Sequence, residues 1–188
     1  KNVSAYAKSK TLAEKSAWDF INDQKDENPM ELTVVNPGPV FGPTLSGNLE
    51  GASMGMVKQI ITGKMPMVPQ AAINMSDVRD VAKIHVLALE NKNASGKRFI
   101  VTTENPYKFQ EMAEILKSNG YDKVSTKLAP NFLLNFMGNF NREARSMRAF
   151  IGKTYNGDVS STMETFDWKP ISFEKTVLDT AKSVNQAL

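Results

Sequence analysis

The sequence has 188 residues, 41% hydrophobic and 23% charged, close to globular averages, so it can bury a real core and is not disordered. Its 23 basic and 20 acidic side chains are interspersed and leave a net charge of +3, which argues against nucleic-acid or membrane-surface binding. With no cysteine and one histidine, disulfide frameworks, Cys-based zinc sites and multi-His metal centres are excluded, which fits a reducing, cytoplasmic compartment.

The sequence opens on Lys1 rather than an initiator Met, and Asn2-Val3-Ser4 does not resemble a signal peptide, so the expectation is a chain that starts inside a longer protein. No apolar run reaches the roughly 18 residues of a membrane helix. From Val3 to about Gln24 the residues are good helix formers without Gly or Pro. The charged run Asp23 to Glu27 and Asn28-Pro29 should end that helix. Glu31 to Asn36 is short, β-branched and apolar, as expected of a buried parallel strand, and Pro37-Gly38-Pro39 stops it. Gly42-Pro43 and Gly47 bend the following loop sharply. A helix is expected over 50–62, with Ala52, Met56, Ile60 and Ile61 towards one face and Gly63 closing it. Met65 to Pro69 reads as extended.

Asp77-Val78-Arg79-Asp80 is a helix-start signal, because Asp77 can accept from backbone N–H groups and Asp80 falls in the first turn. The helix behind it is expected to bury Val78, Val81, Ala82, Val86 and Leu89. Asn93 to Gly96 is a turn, Arg98 to Thr102 a strand, and Phe109, Met112, Ala113 and Leu116 mark a helix that Gly120 ends. Leu128 to Phe140 is apolar and rich in Met and Phe, with no clear periodicity. The last helix should run from Phe173 to about Ala187, carrying Phe173, Val177, Ala181 and Val184 on one stripe. Alternation of helices and strands gives an α/β class.

Tyr6 and Lys10 stand four apart on the first helix and so share a face. A phenol beside an ammonium is an acid–base device, since the cation favours phenolate and lets tyrosine exchange a proton with a carbonyl or alcohol oxygen. Taken alone, one such pair arises by chance in about a third of chains of this composition, and its bland reading is a surface pair. The context narrows this. Tyr6 to Lys15 reads YAKSKTLAEK, then come Trp18, a strand, and Asn36-Pro37-Gly38-Pro39-Val40-Phe41-Gly42-Pro43. Ser76 to Ala82 (SDVRDVA) follows, with His85 on the same helix.

This order and spacing resemble the extended short-chain dehydrogenase/reductases, also described as the NAD-dependent epimerase/dehydratase family. Within that family the strings are most similar to the branch of dihydroflavonol, cinnamoyl-CoA and aldehyde/methylglyoxal reductases. The resemblance implies the C-terminal part of a Rossmann-type doubly wound parallel sheet plus a smaller mixed α/β substrate lobe. Residues 1–39 would belong to the dinucleotide-binding fold and 40–188 mainly to the substrate lobe, with 73–91 returning to the Rossmann part. By position, Tyr6 matches the catalytic acid/base. Lys10 matches the lysine that holds the nicotinamide ribose and tunes the tyrosine. Pro37, Gly38 and Val40 match the turn that packs on the nicotinamide, and Ser53 matches a cofactor-contacting serine. The resemblance favours NADP(H) over NAD(H), no metal, a small-molecule carbonyl substrate and a homodimer.

The departures are equally specific. The glycine-rich G-x-x-G-x-x-G turn, the residue that selects NADH or NADPH, and the serine or threonine preceding the tyrosine have no counterpart here. Ser4 and Ser9 are too close along the helix to substitute. The expectation is an intact reductase of aldehydes or ketones of which these residues alone do not turn over. A nucleotide-sugar epimerase or dehydratase is the sister alternative. A non-catalytic remnant with an unpaired Leu32–Val35 edge, prone to self-association, is the other, and a basic binding module a third. Elsewhere, His85 reads as a partly buried packing residue, Asp77 and Asp80 as caps rather than metal ligands, and Arg142, Arg145 and Arg148 as a solvated face. Phe132, Leu133, Phe136, Met137 and Phe140 read as core, or as a wall for a hydrophobic carbonyl substrate.

Overall fold

A computed structural model describes residues 4–25, 27–132, 139 and 156–188. The arginine run, and the apolar cluster apart from Phe132, therefore lie outside the described residues, and Phe132 itself is exposed rather than core. The first helix, α1, spans Ala5–Asn22, with the Ser4 hydroxyl accepting from Ala7 N at 3.1 Å as its N-cap. None of its residues is fully buried. A polar clasp ties it down: Glu14 takes both the Arg98 guanidinium and, at 3.2 Å, the Trp18 indole N–H. Gln24 closes the turn that follows through two bonds to the backbone of Met30, at 3.0 and 2.8 Å.

Strand β1 (Val34–Pro37) pairs in parallel with a later strand, β6 (Arg98–Val101), in the register Val34↔Arg98 to Pro37↔Val101. Its residues are half-buried or exposed rather than buried, because β6 is its only paired neighbour among the described residues. Between them lie β2 (Val40–Phe41), α2 (Ala52–Ile61), β3 (Val68–Pro69), β4 (Ala72–Ile73), β5 (Ser76–Asp77) and α3 (Val78–Glu90). After β6 come β7 (Tyr107–Lys108), α4 (Phe109–Ser118), β8 (Leu128–Ala129), α5 (Ser160–Phe166) and α6 (Phe173–Gln186). β2 pairs with β5 and β3 with β8, both in parallel; β4 with β7 is antiparallel.

Apolar side chains gather in two clusters. One joins α2, α4 and α6 over β3 and β4, with Ile60, Met112, Leu116, Phe173, Val177 and Val184 at its centre. Tyr107 stacks on Phe173 there, ring centroids 4.1 Å apart. The other packs Ile84 of α3 and Phe99 and Val101 of β6 against Phe166 and Trp168. The stripe expected on α6 is the buried one, behind the Ser172 cap.

For α3 the outcome differs. Val78, Val86 and Leu89 are exposed, Leu89 at 91%, and Ile84 and Asp80 are buried instead. His85 is exposed too, its Nδ1 2.7 Å from Val81 O, so it is not a packing histidine. Asp80 is buried because it does more than complement the helix dipole: it accepts from the Trp168 indole at 3.0 Å and from Ile171 N at 2.8 Å. No helix of the described residues is long and apolar enough to cross a membrane.

Candidate active site

Tyr6 lies in the first turn of α1, where helix capping by Ser4 starts the phasing that brings Lys10 under it one turn later. Tyr6 is 74% exposed, and the Lys10 ammonium lies 5.7 Å from the centre of its ring. The cation thus sits towards the ring, at cation–π range. The pair faces solvent, open to a ligand.

The second group of expected residues is the turn after β1. Pro37 ends the strand, and Gly38 comes so close to the next segment that a Cβ on it would fall 2.3 Å from Asn74 O and 3.0 Å from Thr102 Cγ2. Gly38 N donates to Ser76 Oγ at 2.8 Å, and Val40 stands opposite Ser76 in the β2–β5 register. A Gly38→Ala chain is therefore expected to lose about 1–3 kcal/mol through overpacking, seen as a lower midpoint in a thermal melt. An unchanged melt would contradict this close approach. Gly42, at φ +122°, lets the chain leave β2 beside Asp77, and its N–H donates to Thr180 Oγ1 at 2.7 Å. Ser53 is half-buried in the first turn of α2, the helix that abuts β2.

Tyr6 and Lys10 are thus brought together, as are Pro37, Gly38 and Val40. Among the described residues no hydrogen bond or ion pair joins the first group to the second; α1 meets the sheet through Glu14 and Arg98. Burial raises the Tyr121 hydroxyl above its ordinary pKa; this residue stands on the loop after α4 and packs against the cluster of α2, α4 and α6.

Two features of the turn were not expected from the sequence. The Asn36 side-chain nitrogen is buried with no hydrogen-bond partner among the described residues, at the carboxyl end of β1. Ser76 is 1% exposed and spans from the turn to β6, donating from its hydroxyl to Val101 O. In the sequence Ser76 looks like the run-up to the Asp77 cap, and a hydroxyl in that position carries no periodic signal. The arrangement can therefore offer a tyrosine hydroxyl with a neighbouring cation, a close-packed glycine turn, and an amide donor unpaired among the described residues.

The model of the NAD dependent epimerase/dehydratase family matches residues 1–102. NADPH-dependent methylglyoxal reductase GRE2 of Saccharomyces cerevisiae is 34% identical over 122 residues, 62% of this chain and 35% of that protein. Cinnamoyl-CoA reductase CAD2 of Medicago truncatula is 37% identical over 112 residues, 60% of this chain and 32% of that one. The crystal structure of Gre2 in complex with NADPH from Candida albicans aligns with a TM-score of 0.69 at 25% identity, covering 95% of this chain and 50% of that chain. The matched region thus spans about a third of the length of these curated relatives, and the fold is of the Rossmann type.

Proposed function

The chain belongs to the NAD dependent epimerase/dehydratase family, and on that premise we propose that it is the C-terminal portion of an NADPH-dependent reductase of aldehydes and ketones. The observation that carries this reading is the Tyr6–Lys10 pair, one helical turn apart and open to solvent. Its reductase relatives support the reaction class over sugar epimerisation.

The residues present fit the nicotinamide end of a dinucleotide. The Asn36 amide is a buried donor with no acceptor among the described residues, and the turn beside it is held close against Asn74 and Thr102 at Gly38. On this reading Lys10 holds the ribose hydroxyls, Pro37, Gly38 and Val40 form the wall beside the ring, and Ser53 contacts the cofactor from α2. NADPH supplies the hydride when bound. Tyr6 gives its hydroxyl proton to the substrate carbonyl oxygen as that oxygen gains charge, and the Lys10 ammonium stabilises the phenolate left behind. In the reverse direction Tyr6 takes the proton from the alcohol. Residues 1–39 and 73–91 act as the dinucleotide-binding part and the remainder of 40–188 mainly as the substrate lobe. A cytoplasmic homodimer acting on small carbonyl compounds, without metal, nucleic acid or membrane, completes the reading.

No G-x-x-G-x-x-G string occurs in the 188 residues, so the cofactor phosphates would be held by residues outside them. The intact protein is expected to consume NADPH with methylglyoxal or an aromatic aldehyde, followed by loss of NADPH absorbance. The 188-residue chain by itself is expected to give no turnover. Turnover of a UDP- or dTDP-sugar, with no aldehyde reduction, would replace this reading with the epimerase one.

A further inference from the structure

We propose that Ser76 is the positioning residue that fixes the Pro37–Val40 turn, and with it the wall against which a nicotinamide ring packs. The proposal rests on the reductase reading for its consequence and on hydrogen-bond geometry for its substance. Ser76 touches the turn three ways. Its hydroxyl accepts from Gly38 N at 2.8 Å, its own N–H donates to Pro39 O at 3.0 Å, and it stands in register with Val40. Its single hydroxyl proton goes to Val101 O, the last residue of β6. The hydroxyl proton and one lone pair are thus used and its direction is fixed: accepting from the turn, donating to the sheet.

The neighbouring segments bar the turn from moving inwards, towards residues 74 and 102. Asn74 O blocks movement on one side of Gly38, and Asn74 is itself held by its amide donating to Thr103 O at 3.0 Å. Thr103 N donates to Met75 O at 2.7 Å and Thr103 Oγ1 accepts from Met75 N at 3.2 Å, so residues 74–76 and 101–103 form one rigid ledge. Ser76 carries that rigidity across to the turn. Without the hydroxyl, the Gly38 N–H and the Val101 carbonyl both lose a partner, and the cheapest repair is for the turn to shift towards water. Such a shift costs little stability at a chain bend but moves the contact surface, and small misplacements weigh heavily in a site of this kind.

The test uses the intact protein with NADPH and an aldehyde, comparing wild type, Ser76→Ala and Ser76→Thr. Ser76→Ala is expected to raise KM for NADPH about tenfold, the equivalent of one ordinary hydrogen bond. Ser76→Thr keeps the hydroxyl and is expected to return KM to within about threefold of wild type. A purely structural loss would lower the folded fraction, and so apparent kcat, without moving KM. Wild type that binds NADPH together with an Ser76→Ala variant of unchanged KM overturns the role of Ser76 alone. Equal KM defects in the alanine and threonine variants, at equal melting temperature, overturn it as well. Wild type that neither binds nor oxidises NADPH overturns the reductase reading, and the cofactor consequence drawn for Ser76 falls with it.

Discussion

Tyr6→Phe in the intact protein is expected to lower aldehyde turnover by about a hundred- to ten-thousand-fold, while NADPH still binds. The substitution removes one oxygen and nothing else. Tyr6 is exposed and its ring makes no core contact, so α1 and its Ser4 cap are expected to stay as they are. The loss then falls on the proton transfer. Steady-state kinetics alongside a fluorescence titration with NADPH separate the two effects. Lys10→Met is expected to differ in kind, weakening both turnover and NADPH binding, since in the proposed mechanism the ammonium serves tyrosine and ribose at once. A Tyr6→Phe protein with normal turnover removes the tyrosine from the mechanism.

The second large effect concerns stability. Asp77→Ala is expected to cost about 2–3 kcal/mol, because the carboxylate is 1% exposed and its loss removes the α3 cap and leaves the buried Thr176 hydroxyl short of an acceptor. Its oxygens cap α3 through Arg79 N at 2.9 Å, hold the Arg79 side chain at 2.8 and 2.7 Å, and accept from Thr176 of α6 at 2.7 Å. Arg79 passes the connection on to Asp179 at 2.6 Å, where Lys175 also arrives at 3.0 Å. One carboxylate thus joins the start of α3 to the last helix. Asp77→Asn keeps the cap and is expected to lose about half as much.

The same network sets a pH dependence. Burial pushes the Asp77 carboxyl up, but hydrogen bonds from the Arg79 side chain and backbone and from Thr176 outweigh it, and it titrates below its ordinary value. Asp179 is lowered likewise: burial opposes, and bonds from Lys175 and Arg79 prevail. Glu14 is lowered chiefly by its bond from Arg98. Depressed carboxylates contribute stability that is present above their unfolded pKa and lost as pH falls through the folded one. Melting temperature is therefore expected to hold level above about pH 5 and to fall below about pH 4, with a shallower acid slope in Asp77→Ala. An identical slope in the variant would place the acid sensitivity elsewhere.

Much of the candidate site was written in the local sequence. Tyr6 and Lys10 stand four positions apart whatever the rest of the fold does, and helix formers around them guarantee a shared face. Pro37 ends its strand by lacking an N–H and fixing φ, and that too is local. The last helix was legible for a related reason: Phe173, Val177, Ala181 and Val184 recur at helical spacing behind a serine cap, and all four are buried. Periodicity names a face. It does not say what covers that face.

That distinction explains α3. Val78, Ala82, Val86 and Leu89 form an apolar stripe, yet they are exposed, because the covering surface is not supplied by the described residues. Asp80 is buried only because Trp168, 88 residues away, brings an indole N–H to it. The paired strands β2 with β5 and β4 with β7 have two residues each, too few for an alternating pattern to register. Ser76 belongs to the same class, since its partners Gly38 and Val101 lie 38 and 25 residues off. The sequence by itself determined helix starts, strand ends and the Tyr6–Lys10 face, all products of dihedral preference and short-range spacing. Only the tertiary structure decided which apolar faces are covered and which hydroxyl holds the turn, because those depend on groups distant in the chain meeting at hydrogen-bond range.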